Sequence, residues 1–197
     1  MGIQQTPMEF VRELGLAPGF SVCELGDQWI TYNVHRLARE FYQELGCKRY
    51  ESIDGNARGT ITADLNNPLK PWPGQFDLVT DFGTGEHVFN QHQVWKTIHD
   101  LTKPGGYIVF DHPTQGYEGG GGHGYWNAQQ CLYDDLAVVN GYKVIRLVTG
   151  DTNRGVLIRG VWQRQTKDKF RVPQQGRYRK LLRPITGEPA KVARSAL

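Results

Sequence analysis

The sequence predicts a doubly wound α/β domain with a mostly parallel sheet of seven strands, a C-terminal antiparallel hairpin and a basic extended tail. Short apolar runs alternate with segments of helical periodicity, which is the pattern of chains built from β-α-β units. Late in the chain, two strand-like runs are separated only by the turn Gly150 to Asn153, which predicts the hairpin. Basic residues concentrate at the C-terminal end.

The first half of the chain contains two predicted helices and four predicted strands. Apolar residues recur at helical spacing in the helices, whereas the strands are compact apolar runs that end at glycine or at a polar residue. In chain order these elements are a leading helix near residues 10–14, a strand at 20–25, a helix at 32–45, and strands at 50–53, 60–63 and 76–79. Gly26, Asp54, Asp64 and Asp81 stand at or just beyond the ends of the four strands.

The second half continues the alternation up to the hairpin. In chain order it contains a helix at residues 88–101, a strand at 107–110, a helix at 127–140, and hairpin strands at 142–148 and 156–162. Lys103 to Gly106 is predicted to end the first of these helices, and Asn140-Gly141 the second. Between them, the glycine-rich residues 116–127 suggest a lid over a site, with an ordinary surface loop as the alternative.

Composition limits the class of protein. The 197 residues suit one domain, and 39% hydrophobic with 22% charged residues is typical of a globular chain. No apolar run approaches the roughly 20 residues of a membrane span, and the N-terminus lacks a signal pattern, so we expect a cytoplasmic protein. Cys23, Cys47 and Cys131 include no CxxC pair, which argues against a disulfide framework or a cysteine-zinc site.

Charge divides the chain into two predicted parts, a domain at residues 1–163 and a basic arm at 164–197. The arm holds 10 of the 23 basic residues and only Asp168 and Glu188 among the 20 acids. Such an arm can bind nucleic acid, an acidic surface or a second subunit, and composition leaves these open. We expect an extended or partly disordered arm, which can order on another subunit of a homo-oligomer.

Ligands of a doubly wound sheet bind beyond the carboxyl ends of the strands, so the residues at those ends are the candidate site. Gly26 lets the backbone pass close to a ligand. Asp54, 28 residues later, can accept hydrogen bonds from both hydroxyls of an adenosine ribose. Asp64 can reach an adenine amino group, and Leu65 offers apolar surface to the ring. Each of these residues, taken singly, also fits an ordinary turn.

Five motifs together resemble the class I S-adenosylmethionine-dependent methyltransferase family over about residues 20–163. The motifs are Val22-Cys23-Glu24-Leu25-Gly26, Ser52-Ile53-Asp54, Ala63-Asp64-Leu65, the segment Phe76 to Asp81, and the segment Leu101 to Gly106. The resemblance implies a Rossmann-like fold and S-adenosylmethionine as cofactor, bound by Glu24, Gly26, Asp27, Gln28, Asp54, Asp64, Leu65 and Asp81. The family usually continues its first motif as GxGxG, whereas this chain keeps only Gly26 and has Gln28 at the second glycine.

Methyl transfer to a hydroxyl or amine requires in-line positioning and the removal of a proton, and histidine suits the second task. His87, His112 and His123 are the candidate bases, although each also fits a helix cap or a loop. Tyr125 and Trp126 are candidates to line an acceptor pocket or to pack against the next helix.

Several carboxylates accompany these histidines. Asp81 and Glu86 are candidate acceptor-side carboxylates or metal ligands. Asp81, Asp111 and His112 could in principle hold a divalent ion, but the pattern is loose and we predict no metal.

Three functions remain open from the sequence. A small-molecule or sugar-like acceptor is favoured because the domain is nearly minimal. An RNA methyltransferase is the second, supported by Tyr178 among Arg177, Arg179, Lys180 and Arg183. The third is a catalytically inactive partner subunit, supported by Gln28. The GxGxxG of dehydrogenases and the GxxxxGK[ST] of P-loop kinases are absent.

Overall fold

The computed structural model describes residues 2–3, 5–31, 36–72, 74–114, 116–120 and 123–175. Within these ranges the elements are, in chain order, β1 (Gly2–Ile3), α1 (Gln5–Glu13), β2 (Ser21–Leu25), β3 (Trp29–Ile30), β4 (Arg36–Leu37), α2 (Ala38–Glu44), β5 (Arg49–Asp54), β6 (Ile61–Thr62), β7 (Phe76–Phe82), α3 (Gln91–Leu101), β8 (Thr102–Pro113), α4 (Gln130–Val139), β9 (Tyr142–Thr152) and β10 (Gly155–Arg164). Short 3-10 turns lie at Gly85–His87 and Tyr117–Gly120.

The main sheet has seven strands in the order β6-β5-β2-β7-β8-β10-β9. Neighbours from β6 to β8 are parallel, while β10 is antiparallel to both β8 and β9. This order confirms the predicted doubly wound sheet and its C-terminal hairpin. The chain leaves β2 toward β5 on one side and later places β7 on the other, so the strand order reverses between β2 and β7.

Two apolar cores lie on opposite faces of the sheet. One contains side chains of α3 and α4, including Trp95, Ile98 and Tyr133, and the other contains side chains of α1 and α2, including Phe10 and Phe41. Trp162 of β10 is fully buried in the first core, between Tyr142 and Phe110. Helices therefore cover both faces and leave the carboxyl edge of the parallel strands to the loops.

A second, three-stranded sheet of β1, β3 and β4 was not predicted. It changes the predicted helix at residues 32–45, because Arg36 and Leu37 pair with β3 and the helix begins only at Ala38. Residues 32–35 lie outside the described part of the chain. Strands of two residues carry no periodicity, so the sequence pattern could not reveal them.

The segment that follows β10 lies against the body. Arg164 donates to the carbonyl oxygens of His99 and Thr102 at 2.8 and 2.7 Å, and Arg171 N donates to Asn140 Oδ1 at 2.7 Å. Residues 176–197, which include the predicted RNA-binding cluster from Arg177 to Arg183, lie outside the described residues, so the roles predicted for the arm stay predictions. Among the described residues, no helix has the length and apolar character needed to cross a membrane.

Candidate functional site

The reversal of strand order between β2 and β7 marks the crevice where doubly wound sheets bind their ligands. Three predicted residues meet there. Gly26, with a φ of 82°, turns the chain out of β2 and donates from its N–H to Ile53 O at 2.7 Å. Asp27 N donates to Asp54 Oδ2 at 3.0 Å, and Asn56 N donates to Asp54 Oδ1 at 2.9 Å. The turn after β2 is thereby fixed to the end of β5.

Glu24 supports this turn from inside the protein. Its side chain is fully buried and accepts hydrogen bonds from Tyr50 Oη at 2.7 Å, Tyr42 Oη at 3.4 Å and Gln28 N at 3.3 Å. Burial raises the pKa of Glu24 to about 8, against the opposing effect of the Tyr50 hydrogen bond. The carboxyl group of Glu24 lies inside the protein, beneath the turn after β2. A contact between Glu24 and a cofactor stays a prediction.

Gln28 spans the reversal point. Its Nε2 donates to Thr84 Oγ1 at 2.9 Å, and Thr84 Oγ1 donates to Leu25 O at 2.9 Å. The Gln28 side chain, which stands where the family has glycine, therefore ties the turn after β2 to the turn after β7. No local pattern predicts Thr84 as the partner of Gln28, since the two residues are 56 positions apart.

Asp64 and Leu65 lie beyond β6. The Asp64 carboxylate is exposed and accepts hydrogen bonds from Asn66 N, Asn66 Nδ2 and Asn67 Nδ2, and the backbone N–H of Asn66 is the main cause that lowers its pKa. Leu65 is buried. Asn66 Oδ1 accepts from Asn90 N at 2.9 Å, which attaches this turn to the start of α3. Adenine contacts by Asp64 and Leu65 stay predictions.

Asp81 and His112 form a buried ion pair. His112 Nε2 lies 3.0 Å from Asp81 Oδ2, at an angle outside hydrogen-bond geometry, and His112 Nδ1 lies 3.1 Å from Tyr133 Oη. Burial alone would raise the pKa of Asp81 and lower the pKa of His112. The attraction between the two side chains outweighs burial, so the pKa of Asp81 is lowered and the pKa of His112 is raised. Both side chains are almost inaccessible, so the structure brings neither to the crevice surface. Asp111 pairs separately with Arg159, at 3.1 Å.

Asp81 also shapes the turn that follows β7. Its Oδ1 accepts from Thr84 N at 3.1 Å and from Gly85 N at 3.0 Å. The 3-10 turn Gly85–His87 begins at this point. Asp81 therefore fixes the position of Glu86, the next acidic residue.

Glu86, His87 and His123 form a group that we call the Glu86 cluster. His87 Nε2 and His123 Nε2 lie 3.0 Å apart, and they are 3.9 and 4.0 Å from Glu86 Oε1. Glu86 is 4% exposed, and neither of its carboxylate oxygens has a hydrogen-bond partner among the described residues. Burial raises the pKa of Glu86 to about 7. Two of the three predicted histidines are thus brought together at a buried carboxyl group.

The glycine-rich loop reaches this cluster through its backbone. Tyr125 N and Trp126 N donate to Glu86 O at 2.8 and 3.2 Å. Gly124 has a φ of 71°, and a Cβ there would lie 2.7 Å from Glu86 O, so this close approach requires glycine. Residues 121–122 lie outside the described residues, and movement of the loop as a lid stays a prediction.

Three exposed aromatic residues border the Glu86 cluster. Trp126 Nε1 donates to Phe89 O at 3.2 Å, and the Phe89 ring contacts those of Tyr125 and Trp126 with centroids 5.9 and 6.2 Å apart. All three side chains are exposed, Phe89 and Tyr125 by more than two thirds. Sequence reasoning named Tyr125 and Trp126 but missed Phe89, which has no distinctive pattern around it.

Comparison with known proteins agrees with the fold. A family model described as a methyltransferase domain matches residues 13–110, about half of the chain. No curated protein sequence matches the chain significantly.

Many solved structures have the same fold, among them the following three methyltransferases. The N-methyltransferase NodS from Bradyrhizobium japonicum WM9, in complex with S-adenosylhomocysteine, has a TM-score of 0.59 at 14% identity, over 81% of this chain and 86% of that one. The 1,6-didemethyltoxoflavin-N1-methyltransferase from Burkholderia thailandensis scores 0.58 at 12% identity, over 82% and 78%. The magnesium protoporphyrin IX methyltransferase from Synechocystis PCC 6803 scores 0.57 at 14% identity, over 80% and 76%. From the family match and the sheet order, the chain belongs to the class I S-adenosylmethionine-dependent methyltransferases.

Proposed function

We propose that this chain methylates a small-molecule acceptor that binds over the loops following β7 and β8. One observation carries the proposal: Gly26, Asp27 and Asp54 meet at the reversal of strand order, with the carboxylate at the position expected for a ribose partner. S-adenosylmethionine would supply a methyl group on a sulfonium centre that is already a good leaving group.

The crevice suits an adenosine at Asp54, whereas at Gln28 a side-chain hydrogen bond has to change before a ligand can bind. Two backbone N–H groups use only part of the acceptor capacity of the Asp54 carboxylate, which has about four lone-pair positions. Ribose hydroxyls can therefore still donate to it. At the other end, the hydrogen bond between Gln28 and Thr84 crosses the reversal point, and a ligand that lies there must displace or contact the Gln28 amide.

The acceptor is proposed to bind against the aromatic surface of Phe89, Tyr125 and Trp126. Exposed aromatic rings grouped beside titratable side chains offer apolar area with a few polar contacts, the two kinds of surface that a small-molecule acceptor would contact. The structure of the B. thailandensis enzyme contains bound 1,6-didemethyltoxoflavin together with S-adenosylhomocysteine. By analogy we propose a ring-containing acceptor for this chain.

We assign proton removal, where the acceptor requires it, to His87 or His123. Both have accessible surface next to the aromatic residues, and burial together with the neighbouring His123 lowers the pKa of His87, which keeps its imidazole neutral and able to accept a proton. His112 is buried behind Asp81 and does not share this access.

Calorimetric titration tests the cofactor part of the proposal. Wild-type protein is expected to bind S-adenosylmethionine and S-adenosylhomocysteine, and Asp54→Asn to weaken both by about 10-fold to 100-fold, because hydrogen bonds to a charged group contribute about 1.5–3 kcal/mol. Asp54→Asn keeps one side-chain oxygen and can therefore accept from only one of the two backbone N–H groups, so the fold of the variant is compared with that of wild type by circular dichroism. Asp151→Asn, an exposed aspartate in the hairpin, is the matched control and should bind as wild type. Failure of wild type to bind at millimolar ligand would refute the proposal.

Gln28→Ala tests how the substituted glycine motif affects the cofactor. We expect the dissociation constant for S-adenosylmethionine to fall about fivefold, since the ligand no longer has to break a hydrogen bond that contributes about 1 kcal/mol. Titration of the variant beside wild type gives the answer. Weaker binding by Gln28→Ala would instead show that the amide contacts the cofactor, and equal binding would place the ligand away from this bond.

A further inference from the structure

We propose that Glu86, His87 and His123 bind one divalent transition-metal ion, of which Zn²⁺ is the ion to test. The group contains one carboxylate and two imidazole nitrogens that face each other across 3.0–4.0 Å. The proposal does not depend on the methyltransferase activity, because it concerns metal binding by the protein alone.

The buried carboxylate is the strongest argument. Glu86 is 4% exposed, and within the described part of the chain its carboxylate has no hydrogen-bond partner. This is costly, because buried polar groups are normally paired or coordinate a metal. Its nearest polar atoms in the cluster are His87 Nε2 and His123 Nε2, at 3.9 and 4.0 Å, too far for hydrogen bonds. A cation between Glu86 Oε1 and the two imidazole nitrogens would compensate the negative charge of the Glu86 carboxylate.

The separations suit a small first-row ion. Ligand atoms about 2.0–2.1 Å from a tetrahedral centre lie about 3.3 Å from one another. The three observed separations, 3.0, 3.9 and 4.0 Å, lie on both sides of that value. Small rotations of the histidine rings would complete the geometry.

The donor set indicates the class of metal. Imidazole nitrogen is a ligand of zinc, iron, nickel and copper, whereas Mg²⁺ and Ca²⁺ prefer sites built from oxygen. Two histidines and one carboxylate form the three-ligand set of catalytic zinc sites, which keep a fourth position open. The His87 side chain is 47% exposed, so the open side of the cluster faces solvent and gives an ion a path of entry.

One carboxylate outside the cluster lies near the ring nitrogen of His123 that would not bind the ion. His123 Nδ1 lies 3.5 Å from Glu118 Oε2, and Glu118 in turn pairs with Arg154. Histidine ligands usually direct their second ring nitrogen at a carboxylate in this way, which fixes the ring orientation. Glu118 has a positive φ of 57°, an uncommon conformation for a residue other than glycine.

A neighbouring group, Asp81 and His112 with the same Glu86, offers a competing set of ligands. All three of its members are buried, and His112 is already paired with Asp81 at 3.0 Å. An ion there would have to separate this pair and would be bound only by buried side chains. The Glu86 cluster, with two partly exposed histidines, is therefore the site we assign.

Metal binding also bears on the assigned base. A histidine nitrogen that binds the ion cannot accept a proton, so His87 and His123 act as bases only in the metal-free protein. Chelation therefore separates the two states in any later activity assay.

Titration of untagged, chelator-treated full-length protein with Zn²⁺, without S-adenosylmethionine, tests the proposal. Wild type is expected to bind one ion with micromolar or tighter affinity. Glu118→Gln should weaken Zn²⁺ binding by about 10-fold, because loss of a carboxylate next to a metal ligand typically costs roughly 10-fold to 100-fold in affinity. His87→Ala and His123→Ala each remove a metal ligand and should weaken binding by more than that range. His92→Ala, which removes an exposed histidine outside the cluster, is the matched control and should bind normally.

Co²⁺ provides a second measurement, because its visible absorption reports the ligands directly. The band intensity of a four-coordinate site should be present in wild type and His92→Ala, and lost in His123→Ala. The proposal is overturned by absence of stoichiometric binding in wild type. It is equally overturned by normal binding in both His87→Ala and His123→Ala, which would move the ion to the buried neighbouring group.

Discussion

His112→Ala is expected to lower the free energy of unfolding by about 3–5 kcal/mol, because it leaves the buried Asp81 carboxylate without its partner. The imidazole also fills space beside Phe110, whose ring stacks on it at a centroid distance of 5.4 Å, and contacts Tyr133 Oη. Urea unfolding at pH 7 with EDTA present measures the effect without a contribution from metal. His92→Ala should change stability by no more than about 0.5 kcal/mol.

A double-mutant cycle separates the ion pair from the loss of packing. Asp81→Asn keeps an oxygen for Thr84 N and Gly85 N but removes the charge that His112 compensates. In that background His112→Ala should cost about 1–3 kcal/mol less than in wild type. A cost of His112→Ala below about 1 kcal/mol in wild type, or no coupling in the cycle, would contradict the structural role and return His112 to the candidate bases.

Strands β7 and β8 are longer than the sequence pattern predicts, and this difference changes the surroundings of Asp81 and His112. The pattern predicts that the fourth strand of the main sheet ends at residue 79, which would leave Asp81 in a turn that faces the crevice. In the structure β7 continues to Phe82 and β8 to Pro113, so Asp81 and His112 lie inside paired strands. Polar residues at a strand end resemble a turn in sequence, and only their pairing across the sheet shows that they are buried.

Other features were predictable because they depend on local patterns. The order of strands and helices follows from alternating periodicity. That Gly26 and Asp54 lie close together follows from their positions at the ends of parallel strands. The contact of His87 with His123 does not, because it joins residues 36 positions apart through a loop that Gly124 allows to approach Glu86. Neither periodicity nor spacing contains that information.

The free energy of unfolding is expected to depend on pH through Glu24. This side chain is fully buried, and burial raises its pKa to about 8. In the unfolded chain this group titrates near 4.5, so the folded state binds its proton more tightly. Its contribution to stability is therefore complete below pH 4.5 and is lost as the pH rises toward 8. Tyr42, Tyr50 and Gln28 N face the carboxyl group, and none of them supplies a positive charge to hold the anion.

Glu24→Gln removes the titrating group but keeps an oxygen that can accept from Tyr50 Oη and Gln28 N. Between pH 6 and pH 8 we expect wild type to lose about 2–3 kcal/mol relative to Glu24→Gln, because one pKa unit corresponds to about 1.4 kcal/mol. Urea unfolding at several pH values measures this difference, and Glu40→Gln, at an exposed position in α2, should follow wild type throughout. Parallel stability curves for wild type and Glu24→Gln would mean that Glu24 is ionised inside the folded protein. The turn that carries Gly26 and Asp27 would then rest on a buried anion, and its support by Tyr42 and Tyr50 would be charge-assisted.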